Sequence, residues 1–376
     1  MNITELEKIT KQIKKYQLEA EIIDIENWLG NLNKKQIKNF ISLEIYPLKP
    51  RKKLKSLLVS AKALNGNYYL EEIKLINEAK TDVIANALSN VAQDINSLES
   101  RYHREDMELI ADAKTDEIAY SLRDVACSKD SLESEYHRED MKQIADAKNS
   151  GIANALSSVS MNMESLESEY HREDIRLVAD AKTDEIAYSL RDVACSKDSL
   201  ESEYHREDMK LIADAKTDVI ANWLSNVAMD ADSLESEYHR EDMKLIADAK
   251  TDVIANYLSD VSMNVYSLKS EYHREDMKLI ADVKNSGIAN YLGSLSISMN
   301  SLESEHHKED MKRLSDSKDD EDAKQIYYNI IKQYEVKNKK YYVTFQKKID
   351  AIHQNAIEYT DGDTTKELDD SVFILK

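Results

Sequence analysis

Glycine and proline are nearly missing from this chain: 6 Gly and 2 Pro in 376 residues. A β-rich fold needs glycine at its tight turns, and a dinucleotide-binding sheet needs a glycine-rich loop, so both classes are excluded. No run of 18 apolar residues occurs, which argues against a membrane span. The opening stretch "MNITELEKITKQIKKYQ" lacks the apolar core and small-residue cleavage site of a signal peptide, so the expected compartment is the cytoplasm. Only two cysteines occur, Cys127 and Cys195, at the same place in repeats two steps apart. With stacked helices about 10 Å apart they fall outside disulfide reach and are expected as free thiols. Sequence motifs of phosphate loops, dinucleotide folds, zinc proteases and paired-cysteine metal sites are also missing.

What is present is mostly good helix-forming residues, arranged with a strict period. Histidine recurs every 34 residues, at 103, 137, 171, 205, 239, 273 and 307. It defines seven repeats: 79–112, 113–146, 147–180, 181–214, 215–248, 249–282 and 283–316, called rungs 1 to 7 below. Rungs 2 and 4 differ only at Gln143 against Leu211. A degenerate half-repeat, 68–78, precedes them and holds Tyr69 where the histidine belongs.

Each rung reads as two helices. In rung 5 the first is "TDVIANWLSNVA", whose Ile220, Ala221, Leu224, Val227 and Ala228 form one apolar stripe behind a Thr217 N-cap. The second is "EYHREDMKLIADA", with Ser236 as its expected N-cap. The polar segment between them carries one recurrent leucine, Leu98 to Leu302, read as a plug closing one end of the core. Two-helix units of fixed period bury their apolar faces on one another. The period equals that of tetratricopeptide repeats, but the Trp, Leu-Gly, Tyr and Pro pattern of those repeats is missing. The long polar connection resembles HEAT- or armadillo-type repeats, a resemblance that covers residues 68–316 and implies no function.

The expectation is therefore an all-α protein, a right-handed α-solenoid of seven two-helix repeats with helical caps. The N-terminal cap is 1–67, built around Trp28, Ile37, Phe40 and Ile41, and interrupted by the basic kink "PLKPRKKLK" at 47–55. The C-terminal cap is 317–357, rich in tyrosine, and 358–376 reads as a polar tail.

Each histidine is followed three residues on by an aspartate: His103–Asp106, His137–Asp140, His171–Asp174, His205–Asp208, His239–Asp242, His273–Asp276 and His307–Asp310. On a helix such a pair lies on one face. Catalysis requires a nucleophile beside the base, and no serine or cysteine is read at a matching place in every rung. Zinc requires several ligands at about 2 Å, whereas histidines on neighbouring rungs stand about 10 Å apart. The pairs are therefore read as structural fasteners, with no metal, no cofactor and no enzymatic activity.

Specificity falls to the first helices, the only segments that vary. One slot carries Ala87, Ser121, Ala155 and Ser189, then Trp223, Tyr257 and Tyr291 on three successive rungs. The wheel places this slot at the border with solvent, where the aromatics either fill gaps in the C-terminal half of the core or present a contact surface. Net charge is −21, distributed as +4 over 1–78, −23 over 79–316 and −2 over 317–376. That acidity argues against a nucleic-acid partner and favours a basic protein or peptide, met by Trp223, Tyr257 and Tyr291 with Asp230, Asp232 and Asp260. The expected function is a non-enzymatic scaffold for protein–protein interaction. The alternative is an acidic mimic of nucleic acid, although −23 over seven rungs is sparser than one charge per about 1.7 Å of duplex.

Overall fold

The computed structural model describes residues 3–45, 48, 52–334, 336 and 347, and among them every regular element is a helix. Contacts divide the chain into two compact bodies, Met1–Leu268 and Lys269–Lys376, the division falling inside rung 6. The architecture is an all-α solenoid in which like elements of neighbouring rungs pack on one another.

The first helix of each rung starts where its sequence supplies a cap. Thr217 Oγ1 accepts from Ile220 N at 3.2 Å, opening the helix Asp218–Ala228. Ile220, Ala221, Leu224, Val227 and Ala228 are all buried. The connection after it is more ordered than its polarity suggests. In every rung it forms a one-turn helix, for example Lys129–Glu133 or Met163–Glu167, so a rung has three helices rather than two. The leucine read as a plug is only half-buried, while the serine before it, Ser97 through Ser301, is sealed. The short helix turns this serine inwards because its own N-cap, Asp94, Asn162 or Asp230, holds the serine's backbone N–H.

The second helix begins later than its sequence pattern predicts, at the histidine itself: His205–Asp214 in rung 4, His239–Ala247 in rung 5. Ser236 is not its N-cap; its hydroxyl accepts from Tyr238 N two residues on, turning the chain into the helix. His, Asp, Met and Ile at i, i+3, i+4 and i+7 then form the buried stripe. At the other end the lysine that opens each rung caps that same rung's second helix. Lys80 Nζ donates to Asp112 O at 3.1 Å and Lys114 Nζ to Asp146 O at 2.9 Å, placing cations at negative helix ends.

The N-terminal cap consists of helices Ile3–Tyr16, Ile25–Gly30 and Lys34–Ser42, with Phe40 fully buried against Trp28. Of the basic stretch expected as a kink, Lys52–Lys55 is helical, part of Lys52–Val59; residues 47 and 49–51 lie outside the described residues. The C-terminal cap is helical over 320–334. Tyr341, Tyr342 and the polar tail lie outside the described residues. Among the described residues no helix is long and apolar enough to cross a membrane.

Candidate functional site

The histidines are fully buried, His137, His171, His205, His239, His273 and His307 at 0 % exposure. Their partners are not the aspartates three residues on, but aspartates of the preceding rung. His137 Nε2 meets Asp106 at 3.1 Å, His171 meets Asp140 at 3.0 Å, His205 meets Asp174 at 3.0 Å and His239 meets Asp208 at 2.9 Å. In the second body His307 meets Asp276 at 2.8 Å. His273 and Asp242, both buried, belong to different bodies. The within-helix pairing expected from the sequence is thus replaced by a pairing 31 residues apart. The two groups of one helix point to opposite neighbours: the histidine to the rung before, the aspartate to the rung after.

The other ring nitrogen is also occupied. Ser199 Oγ lies 3.0 Å from His205 Nδ1, and Ser97, Ser131, Ser165, Ser233 and Ser301 stand in the same place on their own histidines. A serine therefore does hold a matching place in every rung, six residues before the histidine, which corrects the expectation that none does. With a neutral ring, Nε2–H donates to the carboxylate and the serine hydroxyl donates to Nδ1, satisfying every polar atom of the imidazole.

Carboxylate, imidazole and hydroxyl in a row have the composition of a hydrolase triad. The arrangement is reversed, however: a triad puts the carboxylate on Nδ1 and the serine on Nε2. Both Ser199 and His205 are fully buried, so no scissile carbonyl can reach the hydroxyl. Burial pushes the carboxyls of Asp106, Asp174 and Asp208 above their ordinary range, against the lowering effect of the facing histidines.

The remaining letters of the motif extend the fastener outward. Arg206 Nε donates to Glu173 at 2.8 Å and Lys210 reaches the same glutamate at 3.1 Å, a set repeated by Arg240 and Lys244 on Glu207. The tyrosine before the histidine packs on the next rung's imidazole, Tyr170 on His205 with centroids 4.8 Å apart, while Arg206 covers the outer face of that tyrosine. So in Y-H-R-E-D every letter touches a neighbouring rung.

The ladder has dedicated ends. In the first body the half-repeat lacks a histidine but supplies Glu72, whose Oε1 meets His103 Nε2 at 3.1 Å. At this step Tyr68 and His103 stand 6.5 Å apart, against 4.8 Å for Tyr170 and His205. In the second body Asp310 has no further histidine, and Tyr334 Oη donates to it at 2.6 Å.

The variable slot on the first helices lies further inside than the wheel places it. Ala87 and Ala155 are 0 % exposed, and Ser121 and Ser189 are buried too. Trp223, Tyr257 and Tyr291 start from that buried flank and emerge half-exposed. Tyr291, in the second body, lies 5.1 Å from Tyr327 of the C-terminal cap, so one face of its ring is taken. Trp223 Nε1 is buried with no acceptor among the described residues. Each of the two first-body aromatics has an exposed valine one turn before it, Val219 and Val253, both 44 % exposed. The same position holds Glu117 and Glu185 in rungs 2 and 4 and Gly151 in rung 3.

The acidic residues grouped with these aromatics separate into two kinds. Asp230 is committed to the fold, accepting from Ser233 N at 2.9 Å as a cap. Asp232 and Asp260 are exposed, and Asp260 raises the Tyr257 phenol further after burial has done so. Cys127 and Cys195 are free thiols pushed up to about 12 by burial, which keeps them from reacting as thiolates near neutral pH. Among the described residues no group of three or more metal-ligating side chains forms. No family model matches this chain, and a search of curated proteins finds no match.

Proposed function

We propose that the chain is a non-enzymatic scaffold that binds a protein partner through the first helices of rungs 5 and 6. One observation carries this reading: exposed Val219 and Val253 stand beside half-exposed Trp223 and Tyr257 on two successive rungs, and on no other rung of the first body do a valine and an aromatic coincide. Aromatic side chains with their apolar body partly exposed are the usual anchors of protein interfaces. Exposed Asn222 adds an amide donor and acceptor to the same surface, and exposed Asp260 adds a negative charge that favours a basic partner segment.

The Y-H-R-E-D ladder supports the non-enzymatic part of the proposal, since its serine and histidine are sealed and its geometry is spent on joining rungs. It also weakens the reading as a nucleic-acid mimic. Glu173 and Glu207 are each matched by two cations, so part of the acidity is neutralised locally rather than displayed. The test is capture from native cell extract after nuclease treatment, with the full chain and with Trp223→Ala/Tyr257→Ala as bait. The proposal expects a defined protein retained by the native chain and lost from the variant. Retention of the same proteins by both baits would move the binding surface elsewhere, and a broad set of nucleic-acid-binding proteins released by moderate salt would favour mimicry.

A further inference from the structure

A second surface lies at the N-terminal cap. Helices Ile3–Tyr16 and Lys34–Ser42 enclose a groove of about 530 Å³ with half-buried Ile37 and Ile41 along its floor. Lys8, Lys34 and Lys38 line it, with Glu5 as the one carboxylate. Lys8 stands 3.9 Å from Glu44, but Lys34 and Lys38 have no ion pair among the described residues. Residues 1–78 carry a net charge of +4, against −23 over 79–316.

The complementary shape occurs on the same molecule. The short helix Met163–Glu167 of rung 3 exposes Met163 (54 %) in the company of exposed Glu164, Glu167 and Glu169. None of these three glutamates has an ion pair among the described residues. On the flanking rungs the methionine's place is taken by Lys129 and Lys197, which pair with their own Glu133 at 3.7 Å and Glu201 at 3.6 Å. In rung 5 the place holds Ala231, too short to protrude. In rung 1 it holds exposed Ile95, accompanied by Arg101 rather than a second glutamate. Among rungs 1 to 5, rung 3 alone joins an exposed apolar residue at this place to three glutamates without an ion pair among the described residues; rung 1 joins Ile95 to Glu99 alone.

We infer that the groove at the N-terminal cap receives the rung-3 short helix of a second copy of this chain, Met163 entering over Ile37 and Ile41 and Glu164 and Glu167 meeting Lys34 and Lys38. Two copies each carry −21, so their long-range repulsion opposes the contact. At about 0.1 M salt that repulsion is screened beyond about 10 Å while the close pairs persist; at about 1 M the screening length falls to about 3 Å and the pairs weaken too. Self-association is therefore strongest near physiological ionic strength and declines at high salt.

The experiment is sedimentation equilibrium of the full chain at about 0.1 M and about 1 M salt, with circular dichroism confirming that each variant keeps its helix content. Lys34→Glu/Lys38→Glu destroys the groove and leaves the protrusion; Glu164→Lys/Glu167→Lys does the reverse. Each variant sets like charges against one another across the contact, so each alone should associate at least about tenfold more weakly than the native chain. Mixed in equal amounts, the two retain one intact groove and one intact protrusion, and a one-to-one complex should return. A native chain that stays monomeric at about 0.1 M salt overturns the inference and leaves the groove to an acidic segment of another protein. Association that survives both variants overturns it as well, by placing the contact on another surface.

Discussion

Replacing His205 by alanine isolates one step of the ladder. It leaves Asp174, 1 % exposed, with no donor on its carboxylate, and Ser199 with no acceptor for its hydroxyl. Leaving a buried polar group without its partner typically costs about 1–3 kcal/mol, and more when that group is a carboxylate. The array's stability is a sum of rung and interface contributions, so the loss should be concentrated at rungs 3 and 4 rather than shared by the whole chain. Urea denaturation followed by circular dichroism measures its size, and amide exchange measures its location. His205→Ala/Asp174→Ala should be less destabilised than the two single losses added together, since it removes the orphaned carboxylate as well. His306, whose side chain is 58 % exposed, is the control, and its alanine variant should stay within about 0.5 kcal/mol of the native chain. A His205→Ala loss under about 1 kcal/mol, or a double variant whose loss equals the sum of the singles, would refute the role of this pair as a fastener.

Three further outcomes follow from the same geometry. Ser199→Ala removes only the neutral half of the imidazole's bonding and should cost about 1 kcal/mol by urea denaturation, clearly less than His205→Ala. Gly151→Ala should destabilise by about 1–3 kcal/mol, because a Cβ there would stand 2.3 Å from the Asp184 carboxylate and 2.8 Å from the Asp184 Cβ; adding Asp184→Gly, which removes both, should lessen the loss. Asp208 has a carboxyl raised from its ordinary 3.8 by burial, so its contribution is full below that value and is lost as pH rises through the raised one. Glu173 and Glu207 are lowered from 4.5, chiefly by the lysines that bond them, so their contribution is present above 4.5 and is lost as pH falls through the lowered values. Thermal midpoints taken from pH 7 down to 3 should show the native chain gaining on Asp208→Asn as pH falls towards 4, and Glu173→Gln/Glu207→Gln losing less than the native chain below 4.5. The opposite slope in either comparison contradicts the assigned direction.

The period, the helical class and the Thr217 cap are all legible in the sequence, because each depends on spacing within a single helix. The partner of His205 is not, because a helical wheel registers closeness along one helix and is blind to which neighbour a side chain faces. The wheel puts His205 and Asp208 side by side; the rungs on either side pull them apart. The serine is open to inspection, recurring six residues before every histidine. It hides in a run of Ser, Glu and Asp whose composition suggests an open loop, next to a recurrent leucine that looks the better candidate for burial. The wheel misplaces the aromatic slot for a related reason: Ala87 and Ala155 give no hint of whether a small side chain is small because space is scarce or because nothing is needed there. The exposed Val219 and Val253 cannot be told from core valines by pattern alone, since both fall next to the apolar stripe.

Because each second helix offers a histidine to the rung before and an aspartate to the rung after, the polar bonding of the first body is directional and has a grammar. Within that ladder any rung can follow any other without orphaning a histidine or its carboxylate, provided Glu72 still begins the series. A gene encoding near-identical segments such as 113–146 and 181–214 is prone to unequal recombination, and here the products would differ by whole multiples of 34 codons. Such events usually break a protein by splitting its core. In the first body they would yield shorter and longer alleles with the same His–Asp bonding between rungs, so that length itself is open to selection.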